Sequence, residues 1–122
     1  MTKKVYFSDE LFVDIRKDRV AAVESKFGIE LNEEASIAFS VPDDEPMFFS
    51  NVDFARMLSW QEILDASSDM CVDFATHGIV PLIDMGDNDY ISYNASEQKW
   101  CRFNIVDEIS FDRKDHLKEY FY

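Results

Sequence analysis

Three aspartates fall within six residues of this chain, at Asp84, Asp87 and Asp89, in the stretch "IVPLIDMGDNDYISYN" (79–94). Carboxylates at this spacing can bind a metal ion, act as a general acid and base, or attract a basic partner. An apolar run precedes the aspartates and an alternating run follows them. We therefore expect a β-hairpin whose four-residue turn, 85–88, presents the acids.

Metal binding and catalysis both need more than this stretch offers. A calcium-binding EF-hand loop lies between two helices, with glycine at its sixth position and glutamate at its twelfth. Counting from Asp84, Gly86 is third, Ala95 is twelfth, and the flanks are predicted strands. A catalytic carboxylate pair needs two different environments in a cleft, whereas acids on an exposed turn share one. We expect no metal, no cofactor and no catalytic residue, and therefore a protein that is not an enzyme.

Protein binding is the third chemistry, and acids beside tyrosines suit it. Carboxylates steer a basic partner, and tyrosine adds contact area at low entropic cost. The loop "PDDEP" (42–46) supplies a second acidic group. The predicted partner-binding residues are Asp43, Asp44, Glu45, Asp84, Asp87, Asp89, Tyr90 and Tyr93. The alternative is that the hairpin acids serve only the turn, because aspartate and asparagine bond their own backbone and tolerate positive φ.

The net charge of −13 is concentrated in one part of the chain. Residues 31–98 hold fourteen acids and a single base, Arg56, whereas 1–30 hold six of each and 99–122 hold five of each. This distribution predicts an acidic surface that attracts a basic protein and repels nucleic acid and anionic lipid. The alternative is that folding brings bases from the other segments beside these acids.

Length and composition indicate one domain, 1–122, with a packed core. Of the 122 residues, 47% are hydrophobic and 15% aromatic. The two N-terminal lysines precede no apolar leader, and no apolar run approaches the roughly 20 residues that span a bilayer. We expect a cytoplasmic protein in which Cys71 and Cys101 are reduced, buried side chains. With His77 and His116 they lack the paired spacing of a zinc site.

Helix signals dominate the first half of the sequence. Ser8 is a candidate N-cap for a helix that Gly28 ends. Asn32 is a candidate cap for a second helix. Ser59 and Glu62 have the spacing of a capping box, in which each side chain accepts a hydrogen bond from the other residue's backbone N–H.

Strand signals dominate the second half. Beyond the hairpin, strand-like composition recurs at 47–51, 54–58 and 100–106. Pro81 has no N–H to donate, so we expect it at a strand edge or a bulge. Asp112 is a candidate cap for a C-terminal helix with Leu117, Tyr120 and Phe121 inward. The predicted fold is α+β, with helices first, an antiparallel-rich sheet containing hairpin 79–93, and a closing helix.

Several of these segments together resemble the SUKH superfamily, the Smi/Knr-type domains. They are "VESKFGIELNEEASIAF" (23–39), "RMLSWQEILD" (56–65), "HGIVPLIDMGDNDYISYN" (77–94) and "WCRFNIVDEISF" (100–111). The family's usual Leu-Pro is replaced here by Leu31-Asn32. The resemblance implies a non-enzymatic α+β domain, most often a bacterial immunity protein that neutralises a cognate toxin.

The resemblance and the charge together predict an immunity protein with a basic toxin, often a nuclease, as its partner. A regulatory or scaffold domain that binds a host protein is the main alternative, since the family's fungal cell-wall regulators act in this way. A small metal- or ligand-binding protein that uses the hairpin aspartates is the third.

Overall fold

The computed structural model describes residues 13–43 and 55–121. Within these two ranges the chain forms five short α-helices, five strands and a final 3-10 turn, in the predicted α+β class. The helices are α1 (Lys17–Phe27), α2 (Glu33–Ala38), α3 (Trp60–Leu64), α4 (Ala66–Met70) and α5 (Phe74–His77). The strands are β1 (Arg56–Met57), β2 (Ile79–Asp84), β3 (Asp89–Asn94), β4 (Lys99–Asn104) and β5 (Ile109–Lys114), followed by the 3-10 turn Leu117–Tyr120.

The strands form a single antiparallel sheet in chain order, β1-β2-β3-β4-β5. The predicted hairpin is confirmed, because β2 and β3 pair from Ile79↔Asn94 to Asp84↔Tyr90. The register shifts between Pro81 and Ile83, so the proline lies at a bulge, as its missing N–H predicts. In this meander the β2–β3 and β4–β5 turns lie at one end of the sheet, and the β3–β4 turn at the other.

Local capping chemistry sets several helix ends, and the signals predicted at Gly28, Asn32 and Ser59 are confirmed. Gly28 ends α1 in the left-handed conformation, with φ of 65°. The Asn32 side chain caps α2 by accepting a hydrogen bond from the backbone N–H of Ala35, at 2.8 Å. Ser59 and Glu62 form the reciprocal capping box at the start of α3. The predicted cap Ser8 lies outside the described residues, but the helix predicted to run from it is wrong at 13–16, which are not helical. Helix α1 begins only at Lys17, after an extended Arg16.

The predicted C-terminal helix is wrong in most of its extent. Residues 109–114 form strand β5, and only Leu117–Tyr120 is helical, as a 3-10 turn. Asp112 caps no helix; it lies in β5 with φ of 53°, where the pairing with β4 shifts register. Leu117 and Phe121 are buried as expected. Of the predicted strands 47–51 and 54–58, the first lies outside the described residues and the second is reduced to β1.

One hydrophobic core joins the helices to the sheet. Its largest fully buried side chains are Trp100, Tyr93, Phe27, Phe39, Phe74, Phe103 and Phe121. Trp100 and Cys101 are adjacent in β4 and point to opposite sides of the sheet, yet both are buried, so both sides are covered at this level. Among the described helices, none combines the length and apolar content needed to cross a bilayer.

Candidate partner-binding surface

The β2–β3 hairpin sends its first aspartate to one side of the sheet. Asp84 lies opposite Tyr90 on β3 and Arg56 on β1, so these three side chains share a side. The Arg56 guanidinium lies 3.6 Å from the Asp84 carboxylate and also makes two hydrogen bonds to Glu62, at 2.8 and 3.0 Å. The Arg56 hydrogen bond is the main reason that the pKa of Glu62 falls to about 2. Asp84 is therefore already engaged by a cation.

Asp89 points to the other side of the sheet and is also engaged. Its carboxylate accepts a hydrogen bond from the Asn104 side-chain amide at 2.9 Å and lies 3.4 Å from the Arg102 guanidinium. Only 17% of the Asp89 side chain is exposed. The register predicts this contact, since Asp89 lies opposite Asn104 and diagonal to Arg102. Asp89 is a structural residue more than a free surface charge.

Asp87 at the tip of the turn is exposed. Among the described residues its carboxylate has no hydrogen-bond or ion-pair partner. Asp87 and Asn88 both have positive φ, at 50° and 66°, which aspartate and asparagine adopt more readily than most residues. Asp87 thus satisfies the turn with its backbone and leaves its charge to solvent.

Of the two predicted tyrosines, Tyr93 does not lie on the surface and Tyr90 partly does. Tyr93 was expected to be exposed and is fully buried, against Trp100 with ring centroids 5.3 Å apart. It cannot contact a partner in this conformation. Tyr90 is partly exposed beside Asp84, and burial followed by the Asp84 charge raises the pKa of its phenol. An aromatic in a predicted strand can face the core or solvent, and the sequence alone did not distinguish the two.

The second acidic group is only partly described. Asp43 is exposed, and its carboxylate accepts a hydrogen bond from the backbone N–H of Trp60, at 2.9 Å. It lines a cavity of about 230 Å³ together with Arg56, which itself contacts Asp84. Asp43 is therefore near the Asp84 side of the hairpin. Asp44 and Glu45 lie outside the described residues.

A second acidic turn, which the sequence analysis missed, lies beside the first. The β4–β5 turn, 105–108, is joined to the β2–β3 turn by a 3.0 Å hydrogen bond from the Ile105 N–H to the Asn88 carbonyl. This turn presents Asp107, whose carboxylate has no partner among the described residues, and Glu108, which lies 3.0 Å from the His77 ring. Asn104 shapes the turn by accepting two backbone N–H groups.

A sequence signal for this turn exists in the chain itself. In both β3–β4 and β4–β5, the strand ends in asparagine, and the fourth residue after it has positive φ: Gln98 at 54° and Glu108 at 53°. Asn94 accepts hydrogen bonds from the next turn much as Asn104 does. The shared pattern "NASEQ" and "NIVDE" marks two equivalent four-residue hairpin turns.

The described part of residues 31–98, the middle segment, is less uniformly acidic than its sequence predicts; residues 99–122 are called the last segment. Five of its acids contact a base: Glu34, Glu62, Asp84, Asp89 and Glu97. Three of the bases belong to the last segment: Arg102, Arg113 and His116. The fold brings them to these acids because β4, β5 and the chain next to the 3-10 turn lie beside the middle segment. Folding therefore neutralises part of the acidic excess. In the part of the chain that the structure describes, the carboxylates of Asp87 and Asp107 at this end of the sheet have no ion-pair partner.

The cysteines and possible metal ligands also have clear surroundings. Cys101 is buried, and burial raises the pKa of its thiol to about 12, whereas Cys71 is exposed, contrary to expectation. Within the two described ranges, no three acidic, histidine or cysteine side chains come together as metal ligands would.

Comparison of the chain with protein-family models, with curated proteins and with solved structures finds no match in any of the three.

Proposed function

We propose that this chain is a non-enzymatic, cytoplasmic protein-binding module that recognises a basic protein partner. The supporting observation is the meeting of two acidic turns at one end of the sheet, where the carboxylates of Asp87 and Asp107 are exposed and have no ion-pair partner among the described residues. The resemblance to SUKH immunity proteins makes a toxin the expected partner. Binding would neutralise the toxin by covering its active site.

Electrostatics explains why such a surface suits a toxin that acts on nucleic acid. A nuclease needs a basic surface to bind phosphates, so an acidic protein can occupy the same surface. Unpaired carboxylates on the outside of the molecule raise the association rate of a basic protein at low salt. Asp89 contributes less to this field, because Arg102 offsets its charge. Asp84 contributes more than Asp89, because Arg56 is shared between Asp84 and Glu62 and offsets only one of the two carboxylates.

The test uses the protein encoded by the adjacent reading frame, since immunity and toxin genes are neighbours. We expect the neighbouring protein to inhibit growth when it is expressed alone, and co-expression of the wild-type chain should restore growth. The variant Asp87→Asn with Asp107→Lys should slow association about tenfold at low ionic strength, because a basic partner no longer meets two free acids. Asparagine preserves the positive φ at position 87.

A matched control changes the same net charge elsewhere. Glu30→Gln with Asp69→Lys alters two exposed acids, and Glu30 lines a groove with Ser96 and Gln98 of the β3–β4 turn, at the opposite end of the sheet. This control should associate at a rate near that of the wild type. A salt-insensitive association rate, or equal slowing by both variants, would contradict recognition by the two turns. Tight binding without growth rescue would favour a host protein over a toxin.

A further inference from the structure

Exposed apolar side chains are concentrated on the β4–β5 hairpin. Of the four large apolar residues that are exposed in the described part of the chain, three lie here: Val106 (69% exposed), Ile109 (57%) and Phe111 (39%). The fourth, Ile15, is on a different segment. Single exposed apolar residues are ordinary, but three within six residues form a patch that a folded protein in water does not need for stability.

The strand register places this patch on a defined side of the sheet. Ile109 lies opposite Asn104, and Phe111 lies opposite Arg102, so both side chains share a side with Asp89. Further along the same side, Trp100 is buried and donates a hydrogen bond to Glu34 of α2, at 3.1 Å. Ile109 and Phe111 therefore lie where the covered part of this side ends, and Val106 is in the turn that precedes them; we call these three residues the exposed patch.

The charges around the patch are acidic. Asp107 and Glu108 stand between Val106 and Ile109 in the turn, and Asp87 is on the neighbouring turn. Arg102 lies beside the patch, with its guanidinium 5.9 Å from the centre of the Phe111 ring, but its charge is offset by the Asp89 carboxylate at 3.4 Å. An apolar centre with a charged rim is the usual anatomy of a protein interface, and here the rim is negative.

The edge of β5 argues against docking by strand addition. Between Trp100 and Arg102 the pairing with β4 shifts register, and Asp112 has φ of 53° at this point. A bulge of this kind interrupts the row of backbone groups that an added strand would need. A partner would contact the side chains on the sheet surface instead.

A second copy of the chain is a poor occupant for the same surface. Each copy carries a net charge of −13, and a symmetric contact through the patch would bring two acidic rims together. A protein with lysines and arginines around an apolar contact would pair with both the rim and the centre. Charge thus selects one class of occupant.

We propose that Val106, Ile109 and Phe111 are the apolar anchor of the partner interface, and that the partner presents apolar side chains flanked by lysine and arginine. This inference rests on the proposed recognition of a basic protein and adds to it a division of labour. The acids govern how fast the partner arrives, and the apolar patch governs how long it stays.

The test uses three short synthetic peptides as defined probes, followed by amide chemical shifts of the full chain. One peptide combines lysine with leucine, the second lysine with serine, and the third glutamate with leucine. The lysine–leucine peptide should bind most tightly and shift the amides of 105–111. The variant Ile109→Thr with Phe111→Thr should weaken its binding about tenfold, and threonine retains the preference for a strand. The single change Ile109→Thr should also weaken binding of the lysine–leucine peptide. Its matched control is Ile15→Thr, the same change at another exposed isoleucine, which should leave binding unchanged.

The outcomes separate this inference from the proposed function. Equal binding of the lysine–serine and lysine–leucine peptides, or shifts confined to other residues, would overturn the apolar anchor and leave basic-partner recognition standing. Equal binding of the glutamate–leucine peptide would overturn recognition of a basic partner itself. A wild-type dimer in sedimentation that Ile109→Thr disperses would assign the patch to self-association and overturn the proposed occupant.

Discussion

Asp84, Asp87 and Asp89 lie within six residues of one another, yet each carboxylate has different surroundings. Alternation along the strands sends Asp84 and Asp89 to opposite sides of the sheet, where each meets an arginine. Asp87, in the turn between the strands, meets only solvent among the described residues. Three identical side chains therefore divide into two structural roles and one exposed charge.

We predict that removing the charge destabilises the fold at Asp89 and has little effect on stability at Asp87. Asp89→Asn should lower the free energy of unfolding by about 1–3 kcal/mol, because it leaves the half-buried Arg102 without its counter-charge. Asp87→Asn should change it by less than about 0.5 kcal/mol, since the side chain has no partner to lose. Urea unfolding of both variants measures the difference. Equal effects would contradict the assigned surroundings.

At this scale the sequence predicts what depends on near neighbours in the chain. The capping box of Ser59 and Glu62 and the left-handed Gly28 are local, so spacing alone identifies them. The contact between Asp89 and Arg102 joins residues of different strands, and its prediction requires the strand register. Single-sequence patterns do not supply that register.

A single carboxylate of α2 connects three elements. Glu34 accepts hydrogen bonds from the Trp100 side chain of β4, at 3.1 Å, and from the Leu117 backbone N–H of the 3-10 turn, at 2.7 Å. Its second oxygen lies 3.0 Å from the His116 ring. The C-terminal turn is thus held against α2 and the sheet by one side chain.

We predict that Glu34→Ala lowers the free energy of unfolding by about 2–3 kcal/mol, because two partly buried N–H donors lose their acceptor. Its neighbour Glu33 is exposed in the same helical turn. Glu33→Ala should cost only a few tenths of a kcal/mol, through the helix dipole. Urea unfolding at neutral pH compares the two. A similar loss in both variants would show that the substitutions weaken helix α2 itself and not the hydrogen bonds of Glu34 to Trp100 and Leu117.

The cost of Glu34→Ala should also depend on pH. The hydrogen bond and the charge of Glu34 raise the pKa of His116 above its ordinary value of 6.5. This contribution is fully present below the unfolded-state pKa and is lost as pH rises through the folded-state pKa. The loss should therefore be larger at about pH 5.5 than at about pH 9, by a modest amount because the histidine is largely exposed. A larger loss at the alkaline pH would contradict the pairing.

The element that the sequence predicts least well is the C-terminal one. Strand β5 has exposed residues on both sides, so it lacks the alternation of apolar and polar residues that identifies most strands. Its charged residues from Asp112 onward instead match a capped helix. The strand exists because β4 offers it a pairing edge, which is a tertiary cause that the local pattern does not contain.

Across the whole molecule, folding pairs many acids with bases, but the acids still outnumber the bases. The net charge remains −13, although bases of the last segment contact acids of the middle one. Like charges in a compact state repel one another and destabilise it. The ion pairs that offset this repulsion are mostly exposed, and each contributes little.

We therefore predict that sodium chloride stabilises the fold. Raising its concentration from a few millimolar to about 0.15 M shortens the screening length to about 8 Å. This screening weakens the repulsion among the excess acids more than it weakens the attraction within the exposed ion pairs. The thermal midpoint at neutral pH should rise. Chloride is preferable to sulfate, which stabilises proteins by exclusion from their surface. A falling midpoint would mean that the ion pairs outweigh the repulsion.

The register shift in β5 has a consequence for the molecule among its own copies. An apolar strand at a sheet edge can pair through its free backbone groups with the same edge of another copy, which leads to open-ended aggregation. Here the irregular backbone at Asp112 interrupts the template, and Lys114 adds a charge just beyond it. The chain can thereby expose apolar side chains near the edge of its sheet and still resist aggregation.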